Sequence, residues 1–283
     1  MENKKYPEQQ QNPPGREWTM QPKPIYDDPE KKGSGRLMGK TAIITGGDSG
    51  IGRAVAVAFS KEGADVVIAY LQADNDAAET KSAVEAYGRC CLTVRTDLRE
   101  EASSVRVVDE TLAAFGKIDI LVNNIAVQFP QNSILDITAE QLDNTFRTNI
   151  YSYFYMTKAA LPHLKPGSCI INTTSVTAYK GNAELIDYSS TKGAIVSFTR
   201  SMSESLLKNG IRVNAVAPGP VWTPLIPTTF SPQKVSEFGT SAPVQYAAQP
   251  VQLAPTYVYL ASDDASYVSG QVLHVNGGAI VDS

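Results

Sequence analysis

The sequence predicts an α/β protein with a single doubly wound parallel sheet of about seven strands and helices on both faces. Three observations carry this. Short β-branched runs recur from residue 40 onward, longer helical patterns separate them, and a glycine-rich turn follows the first run. Alternation of that kind demands crossover helices, because parallel neighbours cannot be joined by a hairpin.

The elements follow in order. Residues 1–38 are rich in Lys, Glu, Gln and Pro and show no period, so they read as an extended N-terminal arm preceding a domain at 39–283. The arm nevertheless carries Trp18, Met20, Ile25 and Tyr26, which implies backbone docked on the body or on a neighbouring subunit, with a solvated tail as the alternative. The strand candidates are 41–45 (TAIIT), 65–70 (DVVIAY), 91–96 (CLTVRT), 118–123 (IDILVN), 169–174 (CIINTT), 211–216 (IRVNAV) and 271–276 (QVLHVN). The longest helical stretches fall at about 139–164 and 187–208, with apolar residues on more than one face, which predicts burial against a partner as well as the sheet. Between the sixth strand and the last helix, residues 220–248 form a long segment that reads as a substrate lid. Its Trp222, Leu225, Ile226, Phe230 and Phe238 are either an apolar wall over a ligand or a subunit interface.

Composition narrows the function. The formal net charge of −4 over 283 residues disfavours an electrostatic grip on nucleic acid or anionic lipid, leaving a small-molecule partner. No apolar run approaches the roughly 18–20 residues of a spanning helix, and no signal-peptide block opens the chain, so it reads as soluble and cytoplasmic. Cys90, Cys91 and Cys169 provide no disulfide framework and read as buried thiols. With His163 and His274 the only histidines, no metal site is expected.

After the first strand comes Thr45-Gly46-Gly47-Asp48-Ser49-Gly50-Ile51-Gly52, then the helical run RAVAVAFSKEG. A strand, a glycine turn and a helix N-terminus present backbone amides and a positive dipole end to a pyrophosphate, although a tight structural turn would read the same way in isolation. Tyr188 and Lys192 stand four apart in DYSSTKGAIVSFTRSM, on one helix face. An ammonium there is expected to lower a tyrosine from about 10 toward working pH and make it an acid/base. Ser175 lies thirteen positions upstream, past the strand CIINTT, where its hydroxyl can meet a substrate oxygen or cap a turn.

These residues resemble the short-chain dehydrogenase/reductase family, with its T-G-x-x-x-G-I-G loop on a Rossmann-type sheet, over nearly all of 38–280. The arm and TGGDSGIGRA are similar to the glucose/ribitol dehydrogenase-like (general stress) subgroup. The resemblance implies NAD(P)-dependent hydride transfer at an alcohol or carbonyl by a catalytic tetrad Asn149, Ser175, Tyr188 and Lys192. Asn149 would support a water-mediated proton path, or it satisfies a kinked helix. Lys192 would hold the nicotinamide ribose. Cofactor contacts are implied at Gly46, Asp48, Ser49, Gly50, Ile51, Gly52, Asp97, Leu98, Asn124, Tyr188, Pro218, Gly219, Val221 and Thr223, with Asp97 on the adenine amino group. The family's N-N-A-G reads Asn123-Asn124-Ile125-Ala126 here, a lost glycine that puts the local turn in question.

Cofactor choice is read at the end of the second strand, where Tyr70 and Leu71 supply neither the acid of NAD users nor the arginine of NADP users. Asp74 and Asp76 would repel a phosphate, which tilts the choice between NAD and NADP toward NAD. A homotetramer is expected from the family. A catalytically silent NAD(P)-binding sensor on the same fold is the competing reading, and the retained serine and tyrosine weigh against it.

Overall fold

The computed structural model describes residues 5–281. Seven strands form one parallel sheet: β1 Thr41–Thr45, β2 Asp65–Tyr70, β3 Cys91–Arg95, β4 Ile120–Asn123, β5 Cys169–Thr173, β6 Arg212–Pro218 and β7 Val272–Val275. Their order is β3-β2-β1-β4-β5-β6-β7, so the chain reverses direction across the sheet between β1 and β4. At such a switch point the loops leaving two adjacent strands diverge to opposite faces and open a crevice at their carboxyl ends.

The ten α-helices among the described residues are α1 Gly50–Lys61, α2 Asp74–Glu85, α3 Glu101–Phe115, α4 Ala139–Phe146, α5 Ser152–Ala160, α6 Thr177–Lys180, α7 Ile186–Leu206, α8 Leu225–Thr229, α9 Pro232–Ser236 and α10 Ala254–Ala261. Alternate strand residues face opposite layers. Ile44, Ile68, Val122 and Ile171 pack with Val55 and Phe59 of α1 and Tyr257 and Leu260 of α10. Ile43, Val67, Leu121, Ile170 and Val213 pack with Val107 of α3, Met156 of α5 and Leu206 of α7. Strands buried on both faces need apolar residues at every position, which is why they stand out in the sequence as uninterrupted runs. No helix among the described residues is long and apolar enough to cross a membrane.

Several expectations are corrected. The predicted strand borders move by up to two residues. The stretch 139–164 is one rod in two phases: α4 and α5 are joined by a π-helical turn, Arg147–Tyr151, that inserts an extra residue. Cys90 is exposed, since it precedes an edge strand, while Cys91 and Cys169 are buried. In the arm, Trp18 and Ile25 are exposed, and the anchoring side chains are Tyr6, Met20 and Leu37. Trp222, Ile226 and Val235, with Phe230 and Phe238 packed against them, form a small core of their own with Tyr6 and Met20 rather than a ligand wall or a free interface. Tyr6 stacks on Trp222 with ring centroids 3.8 Å apart. The Trp222 indole N–H donates to the Pro22 carbonyl at 2.8 Å.

Candidate active site

At the switch point lies a cleft of about 450 Å³, lined by Gly46, Asp48, Ser49, Gly50 and Ile51 of the glycine turn, by Tyr70 and Leu71, Asp97 and Leu98, by Asn124 to Phe129, and by Thr223 to Leu225. The glycines are dictated by geometry. Gly46 and Gly50 have φ of +64° and +54°, a left-handed region that side chains disfavour. A Cβ on Gly52 would overlap the Gly46 carbonyl oxygen, so only glycine lets α1 start this close to the strand end. Among the described residues no protein group takes the Ile51 or Gly52 amide, which leaves two donors at a positive helix end for an anion.

The turn after β4, which lacks the glycine, is held by the Thr45 hydroxyl and by Asn124. The Asn124 and Ile125 amides donate to Thr45 Oγ1 at 2.9 and 3.3 Å, and Asn124 Nδ2 donates to the Thr45 and Gly46 carbonyls at 3.1 and 3.2 Å. Gln245 is the only non-glycine with positive φ among the described residues, so Ala126 occupies ordinary backbone space.

The far rim is less acidic than the sequence suggests. Asp76 is fully buried and holds the Arg53 guanidinium, while Asp74 pairs with Arg95 at 3.0 Å and accepts the Tyr70 hydroxyl at 2.9 Å. Asp76 is therefore withdrawn from the rim, while Asp74 stays exposed there beside Arg95. Asp97 reaches the cleft, but its carboxylate is gripped by Arg99 at 2.6 Å, which holds its pKa below the usual range.

The tetrad positions lie behind the inner wall of the cleft. Ser175 and Tyr188 are nearly covered, and Ser175 Oγ accepts the Thr177 amide at 3.2 Å, the turn cap that the sequence allows as its alternative role. Lys192 lies one turn along α7, its Nζ 5.4 Å from the Tyr188 ring centre and donating to the Thr173 carbonyl at 2.9 Å. Thr173 Oγ1 in turn donates to Asn124 Oδ1 at 3.3 Å, which links this group to the cleft. Asn149 sits in the π turn: its Oδ1 accepts the Val127 amide at 2.8 Å, and its Nδ2 donates to the Val127 carbonyl at 2.9 Å and to Thr191 Oγ1 at 3.1 Å. Thr191 Oγ1 donates to the Tyr188 carbonyl at 2.7 Å, so Asn149 ties the cleft wall to the tyrosine's own helix turn.

Electrostatics reverse one expectation. Burial pushes the Tyr188 hydroxyl up to about 12 and the Lys192 amine down to about 7, with the Ser175 hydroxyl opposing the first shift. The lysine does not offset the rise at the tyrosine as spacing alone suggests, because the same desolvation weakens its own charge. Of the cofactor contacts expected from Pro218 to Thr223, Thr223 lines the cleft. Val221 is buried in the core and bridged to Ala248, Gly219 abuts the Asn276 backbone, and Pro218 ends β6; none of the three reaches the cleft wall.

Sequence reasoning missed two features. Asp187, buried before the tyrosine, accepts Thr145 Oγ1 at 2.8 Å and Gln141 Nε2 at 3.0 Å and so fixes the start of α7. The arm reaches the cleft: Pro13, Pro14 and Gly15 line it, and Glu17 is buried against α1. Burial raises the Glu17 carboxyl to about 7 in spite of Arg53. No spacing signal could have paired residues this far apart on an aperiodic segment. Among the described residues no cluster of three His, Cys, Asp or Glu side chains can hold a metal ion.

Comparison with known proteins agrees with this architecture. The family described as enoyl-(acyl carrier protein) reductase matches residues 46–279. Glucose and ribitol dehydrogenase of Daucus carota is 50% identical over 282 residues, covering 98% of this chain and 97% of the relative. NADPH-dependent aldehyde reductase 1, chloroplastic, of Arabidopsis thaliana is 50% identical over 277 residues, covering 95% and 96%. A short-chain dehydrogenase from Burkholderia cenocepacia, solved in complex with NADP, superposes with a TM-score of 0.80 at 29% identity, covering 86% of this chain and 98% of that one. A glycine turn at the switch point, a buried Ser-Tyr-Lys group beneath it and full-length relatives of this kind place the chain in the short-chain dehydrogenase/reductase family, as an oxidoreductase of that family.

Proposed function

We propose that the protein moves a hydride between NAD(P) and the carbon of a small alcohol or carbonyl substrate, with Tyr188 as the acid/base. The observation that carries this reading is the convergence of Tyr188, Ser175 and Lys192 next to a cleft whose inner end holds free helix-terminal amides. The donor set suits a dinucleotide. The Ile51 and Gly52 amides would take the pyrophosphate, Asn124 and Lys192 the nicotinamide half, and Thr223 its carboxamide. When bound, the nicotinamide supplies or accepts the hydride.

The protein's own residues handle the proton. The buried Tyr188 keeps its hydrogen through neutral pH, so it serves as the donor to a substrate oxygen in carbonyl reduction. Ser175 would hydrogen-bond the same oxygen and orient it. Lys192, once protonated, favours the tyrosinate left by that transfer and draws the step forward. Asn149 positions Val127 and the Tyr188 turn rather than meeting substrate directly, and water beside it would return the proton. Residues 220–248 act as the lid: Gln128 Nε2 donates to Thr229 Oγ1 at 3.0 Å and holds α8 down on the loop after β4.

With Asp76 buried and Asp74 paired to Arg95, the rim is open to both NAD and NADP, and the NADP-bound neighbour and the NADPH-named relative favour testing NADP first. The test is a panel of aldehydes, sugars, polyols and steroids assayed with each nucleotide by the absorbance of the reduced nicotinamide. Turnover of at least one aldehyde or polyol is expected. No turnover across the panel, with nucleotide bound, would favour a silent nucleotide-binding protein instead.

A further inference from the structure

We propose that the N-terminal arm is a working wall of the dinucleotide cleft, so that arm docking and dinucleotide binding strengthen each other, with Glu17 as the positioning residue that fastens it. The inference rests on the reading of the cleft as a dinucleotide site.

Glu17 fastens the arm to the phosphate turn from outside. Its Oε2 accepts the Gly50 amide and its Oε1 accepts Arg53 Nη1, both at 2.6 Å. The Asp76 carboxylate accepts the Glu17 and Trp18 amides at 2.9 and 3.2 Å. Arg53 also donates to the Asp48 carbonyl at 2.9 Å, to Thr80 Oγ1 at 2.9 Å and to the Asp76 carbonyl at 3.0 Å. The guanidinium is fully buried and ties arm, phosphate turn and α2 into one unit. A buried charge stripped of one partner is costly, so the arm cannot leave without disturbing Asp48 and Gly50.

The same arm also holds the lid. A Cβ on Gly15 would stand 2.5 Å from the Pro224 carbonyl oxygen, so glycine is needed where the arm crosses the lid. The Gln11 amide donates to the Pro227 carbonyl at 2.8 Å. Phosphate turn and lid both line the cleft and meet at Gly50, where a Cβ would stand 3.1 Å from Thr223 Cγ2, and a single segment fastens to both. The arm is a wall and not a plug: with it docked the cleft retains about 450 Å³, and the Ile51 and Gly52 amides stay open. A ligand that touches Pro13 to Gly15 and both walls binds the docked state better, and by linkage it must then stabilise docking.

Hydrogen–deuterium exchange on the full chain, with and without saturating NADPH, tests this. Exchange at residues 13–20 and 225–229 is expected to slow about ten-fold or more on NADPH addition. Glu17→Lys, which sets a cation against Arg53, and Gly15→Val, which crowds Pro224 without changing charge, are expected to weaken NADPH binding in a fluorescence titration about ten-fold each, a loss of about 1.4 kcal/mol. If Glu17→Lys fails to fold, Gly15→Val stands as the test. Faster exchange at 13–20 would show a plug that the nucleotide expels and would overturn the proposal, as would wild-type affinity in Gly15→Val. Those outcomes leave the oxidoreductase reading intact. A wild-type chain that binds neither NADPH nor NADH sinks both.

Discussion

Replacing Lys192 by Met should make the protein more stable in mild acid while removing its activity. The folded amine titrates at about 7 against 10.5 in its ordinary state, and at about 1.4 kcal/mol per unit this places a cost of about 5 kcal/mol on burying the ammonium. Methionine has nearly the same length and no charge, so the substitution lifts that cost. It also removes a donor from the Thr173 carbonyl, but the Tyr153 hydroxyl still reaches that oxygen at 3.2 Å, so the loss is at the low end, about 1 kcal/mol. At pH 6 the variant should exceed the wild type by roughly 3–4 kcal/mol on this balance. As pH rises from about 7 toward 10.5 the unfolded lysine holds a proton that the folded one has released, so wild-type stability climbs and the gap closes. Urea unfolding of both chains at matched concentration, at intervals from pH 6 to pH 10, measures the difference. A gap that stays constant across that range would show that Lys192 does not titrate near neutrality, and the reasoning about the buried pair would fall.

Tyr188→Phe should abolish turnover while nucleotide affinity stays near wild type, since it deletes the transferable proton and little packing; near wild-type kcat would remove Tyr188 from the mechanism. Gly52→Ala should cost about 3 kcal/mol and lower the melting temperature, because the clash is with backbone that cannot rotate away. An unchanged Tm would mean that the turn is softer than it looks. Tyr151 and Phe154 remain exposed on the rod formed by α4 and α5, and a symmetric tetramer that covers them is expected in sedimentation at micromolar concentration, where a monomer would refute it.

What could be read in advance was local or periodic. The runs at 41–45 and 169–173 announce buried strands because both faces are apolar, and the glycine turn and the Tyr188–Lys192 spacing act within one or two helical turns. Reading failed where tertiary contact decides. The aromatic residues of 220–248 find partners in Tyr6 and Met20, more than two hundred positions away, and nothing periodic marks that meeting. The Tyr188 and Lys192 charge states depend on how fully both are covered, which spacing alone cannot tell.

The π turn at Arg147–Tyr151 implies an unusual kind of constraint on variation in this chain. A π turn holds one residue more than an α turn between the same flanking turns, so removing one would close the bulge and draw the backbone back into an ordinary α-helix. Asn149, carried by the bulge, would lose its place beside Val127 and Thr191, although no side chain had been replaced. Exposed Tyr151 can be exchanged at little cost, whereas a one-codon deletion anywhere between 147 and 151 should be as damaging as losing Asn149 itself. Length is thus as strict a requirement on this segment as the identity of Asn149.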